Sequence, residues 1–416
     1  MSGTSMDGID VALLRTNGVE SVEHLDHITV PYSHDFQILL KACEYAFAHA
    51  EGQSDRVDAI LLEDAMHYLK HILQFSQKQI SFLLKKWQAL QIQYHASLLQ
   101  ALTYHSTELH HHALCILLKK QALTSSEIDL IGYHGQTMYH APHKKQTVQL
   151  GFAHMLATLS QINVIADFRK HDVQQGGQGA PLAPIYHQAL CANAKKLPAA
   201  FINCGGISNL TLILGLEAEN LIGYDAGPGN VLLDRFIKIR TQGKMQMDKD
   251  GHYARTGRID PVLLDLLKAG SCKQTLQNYY TLPPPKSLDS KDFELLAEFS
   301  GKSIEDGAAT LASFTAKCIV DSLDLISPLP HIPYWILAGG GFEHPVIYSE
   351  FKRYLTARYG AQVQVMKACE LGWKPNAIEA ELMAYLAVRT FKGLPISFPK
   401  TTAAPYPLIG GTLYEK

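Results

Sequence analysis

A chain of 416 residues with 47% hydrophobic and 18% charged side chains can build sizeable cores, which excludes a peptide hormone, a disulfide mini-protein and a disordered segment. At roughly 150 residues per domain, the length predicts two or three domains. Lys and Arg total 37 against 39 Asp and Glu, a net charge of −2, and the basic residues fall in scattered pairs such as Lys85-Lys86 and Lys144-Lys145, so neither a nucleic-acid footprint nor a polybasic membrane patch is expected.

Residues 9–16 and 22–30 are rich in aliphatic and β-branched side chains and flank Asn17-Gly18, a type I′ turn signal, which predicts an N-terminal hairpin. From about 35 to 125 apolar residues recur three and four apart, as at Leu61, Ala65, Tyr68, Leu69 and Ile72, which predicts a helical layer, longest over 59–120. Strands are predicted at 128–133, 147–150, 162–166, 199–203, 210–214 and 221–224, a helix over 305–326, and a buried strand at 334–338 running into Gly339-Gly340-Gly341. The run Thr281-Leu282-Pro283-Pro284-Pro285-Lys286 reads as a stiff extended connector. Alternating helices and strands make the class α/β with mixed sheets. No basic segment followed by an apolar stretch opens the chain, and no apolar run approaches the ~18 residues that span a bilayer. Seven cysteines without a CxxC pair read as buried thiols in a reducing cytoplasm, and His110-His111-His112 as a solvated helix face, because consecutive helical residues cannot converge on one ion.

Several loops are suited to chemistry. In Gly3-Thr4-Ser5-Met6-Asp7-Gly8, small residues free the backbone N–H groups to surround phosphate oxygens, and Asp7 is placed to hold the Mg²⁺ that such oxygens bring; an unstructured chain start is the alternative. Gly205 and Gly206, in Asn203-Cys204-Gly205-Gly206-Ile207, repeat the design between two strands, where an ordinary glycine turn competes. Gly339, Gly340 and Gly341 follow a buried strand, a costly choice unless something flat or charged lies against the backbone. The combination resembles the actin, hexokinase and heat-shock ATPase superfamily, which implies ATP held between two similar domains.

Asp225, in Tyr224-Asp225-Ala226-Gly227-Pro228-Gly229-Asn230, is expected at a strand end facing a cleft, where a carboxylate serves as a base; capping the next turn is the alternative. Asp167 and Arg169, with the following Gly176-Gly177-Gln178-Gly179-Ala180-Pro181, and His134 and Gln136 also stand at predicted strand ends and suit sugar hydroxyls or carboxylates, while an Asp167–Arg169 ion pair is an equal alternative.

Taken in order, MSGTSMDGID, GYHGQT, ADFRKHDVQQGGQGAPLAP, NCGGISNL, GYDAGPGN and AGGG closely resemble the anhydro-N-acetylmuramic acid kinase family over 1–393. The resemblance implies a cytoplasmic, homodimeric enzyme of peptidoglycan recycling that uses ATP, Mg²⁺ and water to convert 1,6-anhydro-N-acetylmuramic acid into N-acetylmuramic acid 6-phosphate. It implies an actin-like two-domain fold, divided here as 1–165 plus 385–416 and 166–384. By position it makes Gly3, Thr4, Ser5, Met6, Asp7, Gly8, Ile9 and Asp10 the ATP-phosphate loop, Asp225 the catalytic aspartate and Glu379 a supporting carboxylate near the sugar, with a surface glutamate as the alternative for the last.

The sequence departs from the family pattern in that Met1 lies inside the first motif with no strand before it, Lys286-Ser287 leads into Leu288-Asp289 rather than a Thr-Gly-Arg run, and Ala226 replaces a threonine. A phosphate loop held by one strand is expected to fray and to bind ATP weakly, and the natural protein is expected to begin upstream. Two alternatives stay open on these residues: another sugar kinase of the superfamily, or an ATP-binding relative without turnover.

Overall fold

A computed structural model of the chain describes residues 1–3, 6–273, 278–288 and 290–416; Thr4 and Ser5 of the first glycine loop, and Asp289, lie outside the described residues. Its contacts divide it into two units, Met1–Tyr186 with Asn376–Lys416, and His187–Pro375. Residues 376–384 and 166–186, which the sequence assigns to the second domain, cluster with the first. For 166–186 a long-range contact makes the link: the buried Asp172 carboxylate accepts the Thr402 hydroxyl at 2.6 Å, tying the stretch to the C-terminal segment.

In the first unit, β1 (Gly8–Thr16) and β2 (Val22–Pro31) form the expected antiparallel hairpin. Its connection is longer than a two-residue turn: Asn17 Oδ1 accepts the backbone N–H groups of Val19 and Ser21, and Gly18 takes φ +74°. The helical layer is four helices, α1 (His34–His49), α2 (Ser54–His67), α3 (Gln77–Tyr94) and α4 (Leu98–Lys120). Serines start three of them, since Ser33, Ser76 and Ser97 each accept a backbone N–H from the first turn. The hydrophobic stripes bury Leu40, Phe47, Leu61, Leu69, Trp87 and Leu102 in one core. His110 is not solvated as expected; it faces inward on α4, because its position belongs to the buried stripe.

Next come β3 (Ile131–Gly132), shorter than its apolar run suggests, β4 (Gln136–Ala141), which no expectation covered, and β5 (Gln146–Leu150). The helices α5 (Ala153–Ser160) and α6 (Lys170–Gln174) flank β6 (Val164–Ala166), and α7 (Pro184–Asn193) carries the boundary between units.

The second unit is built on a five-stranded sheet. Its strands are β7 (Ala199–Cys204), β8 (Ile207–Ile213), β9 (Leu221–Pro228), β10 (Tyr334–Ala338) and β11 (Gln364–Lys367), in the order β11-β10-β7-β8-β9. β7, β10 and β11 are parallel, while β8 and β9 are antiparallel additions, so the sheet is mixed as expected. The helices α8 (Val231–Arg240), α9 (Pro261–Gly270), α10 (Ile304–Asp321) and α11 (Pro345–Tyr359) cover it around Trp335, Phe236, Phe314 and Phe351.

The chain then returns to the first unit as α12 (Ile378–Phe391) and β12 (Thr412–Tyr414), which pairs antiparallel with β6, while β3 pairs parallel with β6 on its other side. α12 packs on β1, β3 and β6, so closely that a Cβ at Gly132 would stand 2.0 Å from the Met383 carbonyl. Between β1 and β3 lies a cavity of about 500 Å³, lined by both strands together with Leu114, Leu117, Ala384 and Val388. Met1 sits at its margin and exchanges two backbone hydrogen bonds of 2.8 Å with Asp10, so the start of the first glycine loop is anchored through Met1 as well as through β1.

The seven cysteines form no disulfide; Cys115 and Cys369 are exposed and Cys272 partly so, a correction to seven buried thiols. Among the described residues no three His, Cys, Asp or Glu side chains gather as a metal cluster, and no helix is long and apolar enough to cross a membrane.

Candidate active site

The second unit assembles its functional loops around Cys204. The Gly205 N–H donates to the Ile207 carbonyl at 3.1 Å and closes the turn between β7 and β8. The first N–H groups of the α8 region reach back to the same turn, Gly229 to the Gly206 carbonyl at 2.8 Å and Asn230 to that of Gly205 at 2.9 Å. Gly229 has to be glycine here, since a Cβ would lie 1.9 Å from the Gly205 carbonyl oxygen. The third glycine loop packs on the same cysteine: Cβ atoms at Gly339 and Gly341 would come within 2.4 Å of the Cys204 carbonyl and 2.3 Å of its Sγ. Gly206 and Gly340 face open space, with nothing within 4 Å of a built Cβ. The third loop thus has two glycines that the packing requires and one that faces open space, whereas Gly205 and Gly206 are both uncrowded, a Cβ at Gly205 meeting only the Ile207 carbonyl at 3.9 Å. Gly205 and Gly206 are absent from the positive-φ glycines, so their service is open space and not a left-handed backbone.

Asp225 is inside β9 and not past its end, a correction to the expected strand of 221–224. The register shifts beside it, with Asn209 opposite Asp225 but Ser208 opposite Gly227, so Ala226 is the extra residue of a bulge. Such a bulge bends the strand and re-aims the neighbouring side chain. The segment 279–288 then grips Asp225. The Tyr279 hydroxyl donates to the Asp225 carbonyl at 2.8 Å, the Asp225 N–H to the Lys286 carbonyl at 3.0 Å, and the Leu288 N–H to Asp225 Oδ2 at 2.7 Å. Burial pushes the Asp225 carboxyl up to about 7, against the hydrogen bonds from Leu288 and Asn209 and the charge of Lys286, which favour ionisation. A carboxyl that titrates near neutrality can hold and release a proton at working pH.

The expected stiff connector therefore does more than span, since its final residue Lys286 is buried against this aspartate. Sequence reading missed Asn209, Tyr279 and Lys286. The first lies within the glycine motif already singled out, and the last ends the proline run, but neither signal says which carboxylate they face.

In the first unit, His134 and Gly135 lie between β3 and β4, and Gln136 opens β4. Gly135 takes φ +69°, and a Cβ there would stand 2.5 Å from the Leu150 carbonyl. This turn buries His134 and Gln136. Burial, helped by the Arg169 charge, lowers His134 to about 3, so the ring is neutral. Its Nδ1–H donates to the Gly135 carbonyl at 2.9 Å, which leaves Nε2 to accept from Arg169 Nε at 3.0 Å. Arg169 Nη1 donates to the Gly179 carbonyl at 2.7 Å. Asp172, which sequence reading did not single out, accepts the Gly179 N–H at 2.5 Å and fixes the other side of that loop. Gln136 Nε2 donates to the Gly3 carbonyl at 3.1 Å, while its buried Oε1 has no partner among the described residues. Glu379, exposed in the first turn of α12, lies in the field of Arg169 and Asp10.

His134, Gln136, Arg169, Glu379, Gly3 and Asp10 are thus one neighbourhood. Asp167 stands apart from it. Its φ is +61°, Oδ2 accepts the Tyr414 hydroxyl at 2.6 Å, and Oδ1 pairs with Lys170 at 2.8 Å, so the alternative of an Asp167–Arg169 ion pair is not formed. In the first glycine loop Met6 is buried with φ +54°, Asp7 is exposed, and Gly8 and Ile9 are buried as β1 begins.

The anhydro-N-acetylmuramic acid kinase family profile matches residues 50–416. The chain is 38% identical to the anhydro-N-acetylmuramic acid kinase of Zymomonas mobilis, over 100% of this chain and 98% of that one. It is 36% identical to the enzyme of that name in Nitrobacter winogradskyi, over 99% and 97%, and 37% identical to that of Azorhizobium caulinodans, over 100% and 98%. The chain belongs to the anhydro-N-acetylmuramic acid kinase family and is a kinase.

Proposed function

We propose that this family member opens the 1,6-anhydro ring of 1,6-anhydro-N-acetylmuramic acid with water while phosphorylating O6 from ATP, giving N-acetylmuramic acid 6-phosphate. The observation that carries the reading is Asp225: a carboxylate aimed by the Leu288 N–H at a bulged strand and poised near neutrality. In this sugar O6 is both the leaving group at C1 and the acceptor of the phosphoryl group. Asp225 takes the proton of the water whose oxygen bonds to C1. As the C1–O6 bond breaks, the electron pair on O6 forms the new bond to the γ-phosphorus, and ADP leaves. No general acid is needed, because the charge reaching O6 is consumed by the phosphoryl group.

The open faces at Gly206 and Gly340 suit the close approach of a nucleotide, and the uncommitted Gln136 Oε1 suits a ligand donor. For the nucleotide we assign the first glycine loop up to Asp10, Gly205, Gly206 and Gly339 to Gly341. For the sugar we assign Arg169, His134, Gln136 and Glu379, with Asp167 as support for the turn before α6. Mg²⁺ fits the oxygen donor Asp7, exposed at the start of β1, and when bound neutralises charge on phosphate oxygens. The proposal includes action in the cytoplasm as a homodimer.

The test is turnover of 1,6-anhydro-N-acetylmuramic acid with ATP in oxygen-18 water. We expect stoichiometric ADP and one heavy oxygen at C1 of the product. Phosphorylation without label would support an ordinary sugar kinase, and ATP binding without sugar-dependent ADP release a relative without turnover.

A further inference from the structure

We propose that Lys286 is the positioning residue of the active site: its ammonium is the fixed counter-charge of Asp225, and its backbone clamps the strand that carries that carboxylate. This rests on the reading of Asp225 as the base.

The geometry is specific. Lys286 is 6% exposed, rare for a lysine, and its carbonyl accepts the Asp225 N–H. Its Nζ donates to the Tyr279 carbonyl at 3.1 Å and sits 4.4 Å from the centre of the Tyr279 ring. Tyr279 in turn donates its hydroxyl to the Asp225 carbonyl at 2.8 Å. Lysine and aspartate are therefore joined twice, through backbone and through tyrosine, and the ammonium, held on the Tyr279 carbonyl with no direct ion pair to the carboxylate, acts on Asp225 as a nearby fixed charge. A lysine needed only to fill space would be replaced at lower desolvation cost by an apolar residue.

Among the described residues, the groups facing this pair come from three directions. Asn209 reaches Asp225 from β8, Tyr279 and Leu288 from the 279–288 segment, and Cys318 on α10 and Cys272 lie in the field of Lys286. Burial pushes Cys318 up beyond the ordinary thiol range, so it stays neutral, and among the described residues Lys286 is the cation that acts on the base. Burial also brings Lys286 down to about 8, so its charge is present at neutral pH.

The experiment compares wild type, Lys286→Met and Lys286→Arg. The Asp225 carboxyl is followed by carbon-13 NMR through the neutral range, with Asp225→Asn to assign its signal, and thermal unfolding reports folding. Removing the charge is expected to move the Asp225 titration upward by roughly one unit, while Lys286→Arg keeps it near the wild-type position. Where the anhydro sugar is turned over, the acid limb of kcat/KM should move with it, and kcat should fall more than KM changes. An Asp225 titration that coincides in folded Lys286→Met and wild type overturns the proposal. Should the methionine variant not fold, an arginine variant titrating a full unit away from wild type overturns it instead. The NMR needs no turnover, so an enzyme inactive on the anhydro sugar would count against the proposed function and leave the Lys286 result readable.

Discussion

Asp225 Oδ2 accepts the backbone N–H of Leu288 at 2.7 Å, so the candidate base is aimed by main chain from a loop far downstream in sequence. An amide oxygen can accept the same bond. Asp225→Asn is therefore expected to keep the fold and nucleotide affinity and to lose ring opening and phosphorylation together, by ~10² to 10⁴ in rate. Calorimetric ATP binding alongside product formation checks this. Loss of one bond change without the other would remove the single-base mechanism.

The raised pKa of Asp225 makes two opposite demands on pH. Activity needs the carboxylate, so kcat/KM should rise with pH through an acid limb near 7. Stability runs the other way. The folded form holds a proton that the unfolded chain releases near 4, so the contribution of this group is complete below about 4 and is lost as pH rises through about 7. Asp225→Asn should consequently raise Tm above neutral pH and leave it unchanged in acid. A Tm difference independent of pH would contradict the burial of this charge.

Glycines in the two loops should separate into fold and ligand positions. Gly206→Val enters open space and is expected to weaken ATP binding with little change in Tm, whereas Gly341→Ala meets Cys204 Sγ and should destabilise by roughly 1–3 kcal/mol. Equal ATP affinity in Gly206→Val and wild type would return that loop to a plain turn.

Arg169 and Asp167 offer a matched pair. Arg169→Lys keeps charge but not the simultaneous grip on His134 and Gly179, and is expected to raise KM for the sugar by about tenfold or more. Asp167→Asn loses the Lys170 ion pair and weakens the Tyr414 bond, which should cost about 1 kcal/mol of stability and leave KM unchanged. Steady-state kinetics with thermal unfolding of both variants separates contact from support.

What was legible in the sequence follows from range. The hairpin and the buried strand 334–338 are local patterns, and the structure has them as β1–β2 and β10. The strand carrying Asp225 runs beyond its predicted end because Gly227 and Pro228, which read as breakers, are tolerated at the bulged end of an edge strand. Gln136-Thr137-Met138-Tyr139-His140 lacks a clean alternation and predicts no strand; β4 forms there by pairing with β5. Gln136 stands out in the sequence beside His134, whereas Lys286 and Asp172 become informative only once tertiary contacts show which group each one faces. No spacing in the chain encodes that.

The last prediction concerns the cavity between β1 and β3. The edge of β1 away from β2 pairs with no strand among the described residues beyond the two bonds at Met1, and β3 is paired only on its β6 side. Both edges line the same space of about 500 Å³, together with leucines of α4 and small residues of α12, so it offers two rows of backbone groups and apolar walls. A β-strand satisfies both at once, and a peptide of about six apolar residues is the usual strand length. Fusing such a segment ahead of Met1 is expected to fill the cavity, raise Tm and lower KM for ATP, because Met1 and the glycine loop after it would then be held by strands on both sides. Amide hydrogen exchange provides the direct readout, with new protection in β1 and the 128–133 segment. An extended protein with unchanged exchange, Tm and KM would show that β1 holds the loop without a second strand.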